Sequence, residues 1–278
     1  MPTCRVDGVD LYYEDHGLGM PILFVHGMCG NANAWDGQVG RLSGEFRCIT
    51  YDRRGHTRST LGSIGQRTVE LHADDAAKLV ETLGIAPCLL VASSGGARIG
   101  VDLVRRYGQL FVGAVLSEPP IFSLDPEGGA GAIMSALQPP IQAAMAAGEP
   151  RGAVDAFFAY MCPGLWSALD DAGREPYRAN HVELMGDLQM PPYQISLEDL
   201  RRIETPVTMV SGSVSNPVLR RVARVIAEAL PNSTFAEIDG VGHVTYAEAP
   251  DEFAAIARRA AATAREARPR SEAASRPG

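Results

Sequence analysis

Short runs with almost no polar position limit the fold of this chain more than any other feature. Residues 22–25, 88–92, 112–117 and 207–210 are apolar nearly throughout. A strand with one wet face alternates apolar and polar side chains. A continuous apolar run therefore puts both faces in a dry interior, as in parallel sheets covered by helices on each side. Residues 9–14, 46–51 and 234–238 are further strand candidates, and helix-type segments fill the intervals at 69–83, 96–107, 217–230 and 251–264. This βαβ alternation predicts an α/β fold with a doubly wound, mostly parallel sheet.

One interval breaks the rhythm. Between Ser117 and Thr205 no strand pair is evident, and the segment is rich in Ala, Met, Pro and aromatics, as in GAIMSALQPPIQAAM and AVDAFFAYMCPGLW. A structureless loop of that length does not suit a compact domain, so the segment reads as a helical cap inserted over one end of the sheet. The expected organisation is a core of residues 1–119 and 206–264 with a helical cap of 120–205. A tail of 265–278, without periodicity, reads as disordered.

Composition narrows the function. The net charge of −8 and the absence of a basic stripe exclude a nucleic-acid partner and favour a small, largely uncharged substrate. Lys78, the only lysine, lies in a polar helix, which leaves no buried amine for Schiff-base chemistry. Cys4, Cys29, Cys48, Cys88 and Cys162 are scattered without CxxC spacing, so they read as buried apolar side chains and not as a zinc site or a disulfide framework. The first residues, MPTCRVDGVD, lack a basic-then-apolar signal stretch, and no apolar run approaches the roughly 20 residues that span a bilayer. The expectation is a cytoplasmic protein without a membrane partner.

The segment CLLVASSGGARIGVDLVRRY, residues 88–107, carries the chemistry. An apolar strand runs straight into Ser-Ser-Gly-Gly and a helix, the setting of a strained turn that lifts one serine above a sheet. Such a turn needs small residues two before and two after the nucleophile. Ser94 has Ala92 and Gly96 there, whereas Ser93 would place Val91 at the crowded position. Ala92 stands where G-x-S-x-G has its first glycine. In ILFVHGMCGNANAW, residues 22–35, a strand ends in His-Gly. The loop beyond can aim the backbone N–H of Met28 at a developing oxyanion, with the N–H of Gly95 as second donor. His26 reads as a brace for this loop.

FVHGMCG, YDRRGHTRS (residues 51–59), VASSGGA and DGVGHVTYAEAPDEF (residues 239–253) together resemble, in order and spacing, the four landmark motifs of the α/β-hydrolase superfamily. The resemblance covers about residues 5–264 and identifies a superfamily with many chemistries, not a substrate. Thr57 stands where its second landmark usually has glycine. The resemblance also implies that His243, on its Gly-Val-Gly-His turn, reaches the nucleophile, in line with the need of a serine hydroxyl for a base that accepts and returns a proton. His16, His56, His72 and His181 lack such a setting.

The acid departs from the pattern. Most relatives carry an Asp in the loop after the strand at 207–210, but that loop reads SGSVSNPVLRR and has no carboxylate. Glu118, directly after the strand at 112–117, is the replacement, and the chain is similar in that respect to zearalenone-type lactonases. A Glu between a buried strand and Pro119-Pro120 needs a partner, which the His243 imidazole supplies. The competing assignment pairs Glu118 with an arginine and leaves His243 to Ser215 or Asn216. Asp239 and Glu237 sit too close to His243 along the chain to turn back to it.

These residues predict a serine hydrolase without cofactor or metal, acting on an apolar small-molecule ester or lactone. Met134, Met145, Met161, Met185 and Met190, with Phe157, Phe158, Tyr160 and Trp166, point to an apolar pocket roof. A carbon–carbon bond hydrolase, a cofactor-free peroxidase and a non-catalytic ligand-binding receptor are the alternatives on the same residues. The elbow frame yields a direct test. Ser94→Ala is expected to lower ester turnover by about six orders of magnitude, while Ser93→Ala keeps most activity. The reverse outcome would show that the frame is off by one.

Overall fold

The computed structural model describes residues 2–62 and 67–267. Eight strands form one sheet: β1 (Thr3–Val6), β2 (Val9–His16), β3 (Met20–Val25), β4 (Phe46–Tyr51), β5 (Cys88–Ser93), β6 (Phe111–Ser117), β7 (Val207–Gly212) and β8 (Ser233–Ile238). Their order is β1-β2-β4-β3-β5-β6-β7-β8, parallel from β4 to β8, with β1 and β2 antiparallel at one edge. The doubly wound α/β sheet anticipated from the apolar runs is present. β1 is an addition: it pairs with β2 across Asp7-Gly8, both at positive φ (40° and 83°), the Asp-Gly turn that favours a hairpin.

The helices of the described residues are α1 (Asp36–Leu42), α2 (Val69–Thr82), α3 (Gly95–Arg106), α4 (Ala130–Ala146), α5 (Pro150–Met161), α6 (Pro163–Ala168), α7 (Asp171–Arg178), α8 (His181–Leu188), α9 (Leu197–Arg201), α10 (Pro217–Ala229), α11 (Thr245–Glu248) and α12 (Pro250–Ala267). Both faces of the sheet are covered. Gly113 of β6 faces Ala264 of α12, and Leu116, three residues on and so on the opposite face, meets Gly100 of α3. None of the described helices is long and apolar enough to cross a membrane.

Between β6 and β7 the chain is helical, from α4 to α9. α9 packs on α10, and Tyr193 donates a hydrogen bond to the buried carboxylate of Asp102 in α3 at 2.9 Å. α12 continues through Ala267, so positions 265–267 of the expected disordered tail are helical instead: although Arg265 and Glu266 are exposed, Arg, Glu and Ala are good helix formers that extend a helix already nucleated. Positions 268–278 of the expected tail lie outside the described residues.

The centre of the sheet decides where chemistry can occur. Every residue of β5 is buried, and the strand ends at Ser93. Ser94 takes φ 55° and ψ −125°, and α3 begins at the next residue. A Cβ at Gly96 would lie 2.3 Å from the carbonyl oxygen of Val25 and 2.6 Å from that of His26, so only glycine lets α3 start against the end of β3. Gly96→Ala is expected to cost about 1–3 kcal/mol through overpacking, more than the roughly 1 kcal/mol that alanine returns in helix propensity. The urea midpoint should fall. An unchanged midpoint would show that α3 moves off β3 freely.

Candidate active site

Ser94, His243 and Glu118 come together although they lie on three separate connections, after β5, β8 and β6. His243 Nε2 is 2.9 Å from Ser94 Oγ, and His243 Nδ1 is 2.6 Å from Glu118 Oε2. His243 and Glu118 are buried, and Ser94 is partly open.

The Glu118 carboxylate accepts four hydrogen bonds. Ser211 Oγ and the Gly212 N–H donate to Oε1 at 2.7 and 3.0 Å, and Ser215 Oγ and His243 Nδ1 to Oε2, each at 2.6 Å. No arginine is among these partners. The loop after β7 thus takes part, by holding Glu118 and not by binding the imidazole. Asn216 instead caps α10, accepting from the Val218 N–H at 2.9 Å. Asp239 accepts from Ser213, and Glu237 pairs with Arg220, both away from the ring.

Glu248 was not singled out from sequence, yet its carboxylate accepts from the N–H groups of Gly242 (2.9 Å) and Val244 (3.2 Å) on either side of His243. On the other side of Ser94, the Met28 nitrogen lies 3.5 Å from the point a Cβ on Gly95 would occupy. Gly95 opens α3, where first-turn N–H groups have no intrahelical acceptor. The Met28 loop is pinned from above by Asn180, at the junction of α7 and α8. Asn180 Nδ2 donates to the carbonyls of Cys29 (3.0 Å) and Gly30 (3.2 Å), and its Oδ1 accepts from the N–H and the hydroxyl of Thr57, each at 3.0 Å. Cys29, Thr57, Ser94 and Glu118 all adopt positive φ (56°, 41°, 55° and 44°), so backbone strain gathers around these residues.

Beneath the loop lies a buried polar cluster. His26 accepts from the Arg53 N–H on Nε2 (2.9 Å) and faces the Gly27 carbonyl with Nδ1 (2.8 Å), the bracing role expected of it. Arg53 pairs with Asp187 of α8 at 2.7 Å, both about 1% exposed. Burial raises the cost of charge on Asp187, but Arg53 prevails and holds its carboxyl well below the usual range. Burial, reinforced by Arg53, pushes the imidazoles of His26 and His56 well below their ordinary value and that of His72 to about 3.

The cavity at Ser94 is small, about 30 Å³, and lined by Met28, Phe157, Phe158, Leu165, Tyr177 and Val244 among others. Of the nine side chains expected to roof it, only Phe157 and Phe158 border it. Met134, Met145 and Tyr160 are exposed, and Trp166 stacks behind Phe158 at 4.7 Å. Leu165 and Tyr177 escaped notice because α6 and α7 are too short to display a periodic face. All five cysteines are free and buried, as expected, and Lys78 pairs with Asp7 at the surface.

A profile of the alpha/beta hydrolase family matches residues 22–256. The chain belongs to the alpha/beta hydrolase family. Among its relatives, the uncharacterized hydrolase YraK of Bacillus subtilis is 37% identical over 123 residues, which is 44% of this chain and 45% of that protein. The non-heme chloroperoxidase CPO-A1 of Kitasatospora aureofaciens is 28% identical over 87% of this chain and 92% of its own. The crystal structure of a bromoperoxidase from Bacillus anthracis has the same fold, with a TM-score of 0.77 at 22% identity, covering 91% of this chain and 96% of that one.

The buried cluster makes this hydrolase acid-sensitive in a defined window. In the unfolded chain the imidazoles of His26, His56 and His72 take up protons as pH falls below about 6.5, whereas in the fold they stay neutral. The unfolded state binds more protons, so stability falls with pH. Between pH 7 and 5.5 the three together should cost about 3–4 kcal/mol. The Asp187 pairing, with its lowered carboxyl, is lost only below about pH 4. Urea midpoints at the two pH values check this, and His72→Gln should flatten the fall by about a third. A flat profile would refute it.

Proposed function

We propose that the protein is a serine hydrolase cleaving a carboxylic ester or lactone of an apolar small molecule through an acyl-enzyme. The observation that carries this reading is the unbroken line of hydrogen bonds from Ser94 Oγ through both ring nitrogens of His243 to the buried carboxylate of Glu118. His243 Nε2 takes the Ser94 proton as Oγ bonds to the carbonyl carbon, while Glu118 fixes the tautomer and stabilises the imidazolium. Collapse of the tetrahedral intermediate breaks the bond to the alcohol oxygen, and His243 returns the proton to it. Water then adds to the acyl-enzyme with the same base, releasing the acid and restoring Ser94. The Met28 and Gly95 N–H groups hold the oxyanion, each worth on the order of 3 kcal/mol of barrier.

A second reading has one observation in its favour: the relative from Kitasatospora aureofaciens is named a non-heme chloroperoxidase. On the same residues, hydrogen peroxide would replace water in clearing the acyl-enzyme. Product analysis with and without peroxide separates the two.

A fluorophosphonate should label Ser94, and absence of labelling would point to a receptor with an unreactive serine. Glu118→Gln keeps size and shape but can hold the wrong tautomer. It should lower ester turnover by about two to four orders of magnitude with little loss of fold. Near wild-type turnover in a folded Glu118→Gln variant would remove Glu118 from the mechanism.

A further inference from the structure

Two cavities meet at Tyr177. The inner one, about 30 Å³, holds Ser94 and His243 behind Met28, Phe157, Phe158 and Leu165. The outer one, about 270 Å³, is lined by Asn31, Asn33 and Asp36 together with Leu169, Pro176 and Tyr177. Tyr177 and Gly30 are the residues that border both. The inner space takes roughly two water molecules, so its apolar walls leave room for a short alkyl group and none for a macrolactone or a long chain.

The wall is braced. Tyr177 meets Phe158 edge-on at 4.9 Å and Trp166 at 6.0 Å, while Phe158 stacks on Trp166 and meets Phe157 at 5.5 Å. Displacing one ring therefore disturbs the others. We infer that Tyr177 is a specificity-determining residue that makes this a site for esters of short-chain acids, with the acyl group in the inner cavity and the alcohol half in the outer one. The inference rests on the serine-hydrolase reading. The acyl group stays on Ser94 until the second step, whereas the alcohol departs after the first, so the wider cavity suits the alcohol.

The test is kcat/KM of the full chain on ethyl acetate, ethyl butanoate and ethyl octanoate, read as acid release. Wild type should fall at least about tenfold from acetate to butanoate and about a hundredfold to octanoate. Tyr177→Ala should join the two cavities and raise the octanoate-to-acetate ratio at least about tenfold. If that variant loses its circular dichroism signature, Leu165→Ala, which widens the inner cavity alone, must raise the butanoate-to-acetate ratio. A wild-type profile that is flat or favours octanoate overturns the inference, as does a folded variant with an unmoved ratio. If Ser94 takes the fluorophosphonate but none of the three esters is hydrolysed, this inference alone falls. If Ser94 also resists the label, the serine-hydrolase reading falls with it.

Discussion

The carboxylate of Glu118 is the group on which the site depends. It lies fully inside the protein, where an unpaired charge is costly, and four donors converge on it from the end of β7, the loop after it and the loop after β8. The end of β6, the loop after β7 and the His243 loop are thereby locked to one another through a single side chain. This also explains the missing carboxylate after β7. An acid at position 215 would face Glu118 at hydrogen-bond distance, and two like charges cannot share such a place. A serine, which donates, is what the site requires there.

The same logic runs through the opposite wall. Thr57 departs from the usual glycine and accepts a positive φ, but its N–H and its hydroxyl both donate to Asn180, whereas a glycine would offer the N–H alone. Asn180 in turn holds the consecutive carbonyls of Cys29 and Gly30, directly after Met28. One amide thus ties the helices between β6 and β7 to the loop proposed to bind the oxyanion, and the Arg53–Asp187 pair ties them again from below.

Much of the core was legible because it is periodic or local. The apolar runs became β3, β5, β6 and β7, and the small residues flanking Ser94 marked a turn that the close approach of α3 to β3 makes obligatory. Ser211, Ser215, Asn180 and Glu248 were not legible in these roles: each acts through a hydrogen bond that no spacing announces, and serines and amides are common in loops for other reasons. The methionines of α4 misled because apolar character alone does not tell a buried helix face from an exposed one. Tyr177 was missed for the complementary reason, being a single ring on a short polar helix.

The hydrogen bonds of His243 to Glu118 and to Ser94 join residues 125 and 149 positions apart. During synthesis the chain emerges N-terminus first, so the strand-turn-helix bearing Ser94 is complete long before β7, β8 and the loop of His243 exist. On the proposed mechanism a half-made chain therefore carries the hydroxyl but not the base that takes its proton. On that mechanism the serine becomes reactive only when the edge strand β8 has docked on β7, so the order of the residues along the chain would keep the nascent serine from acylation until the whole sheet is in place.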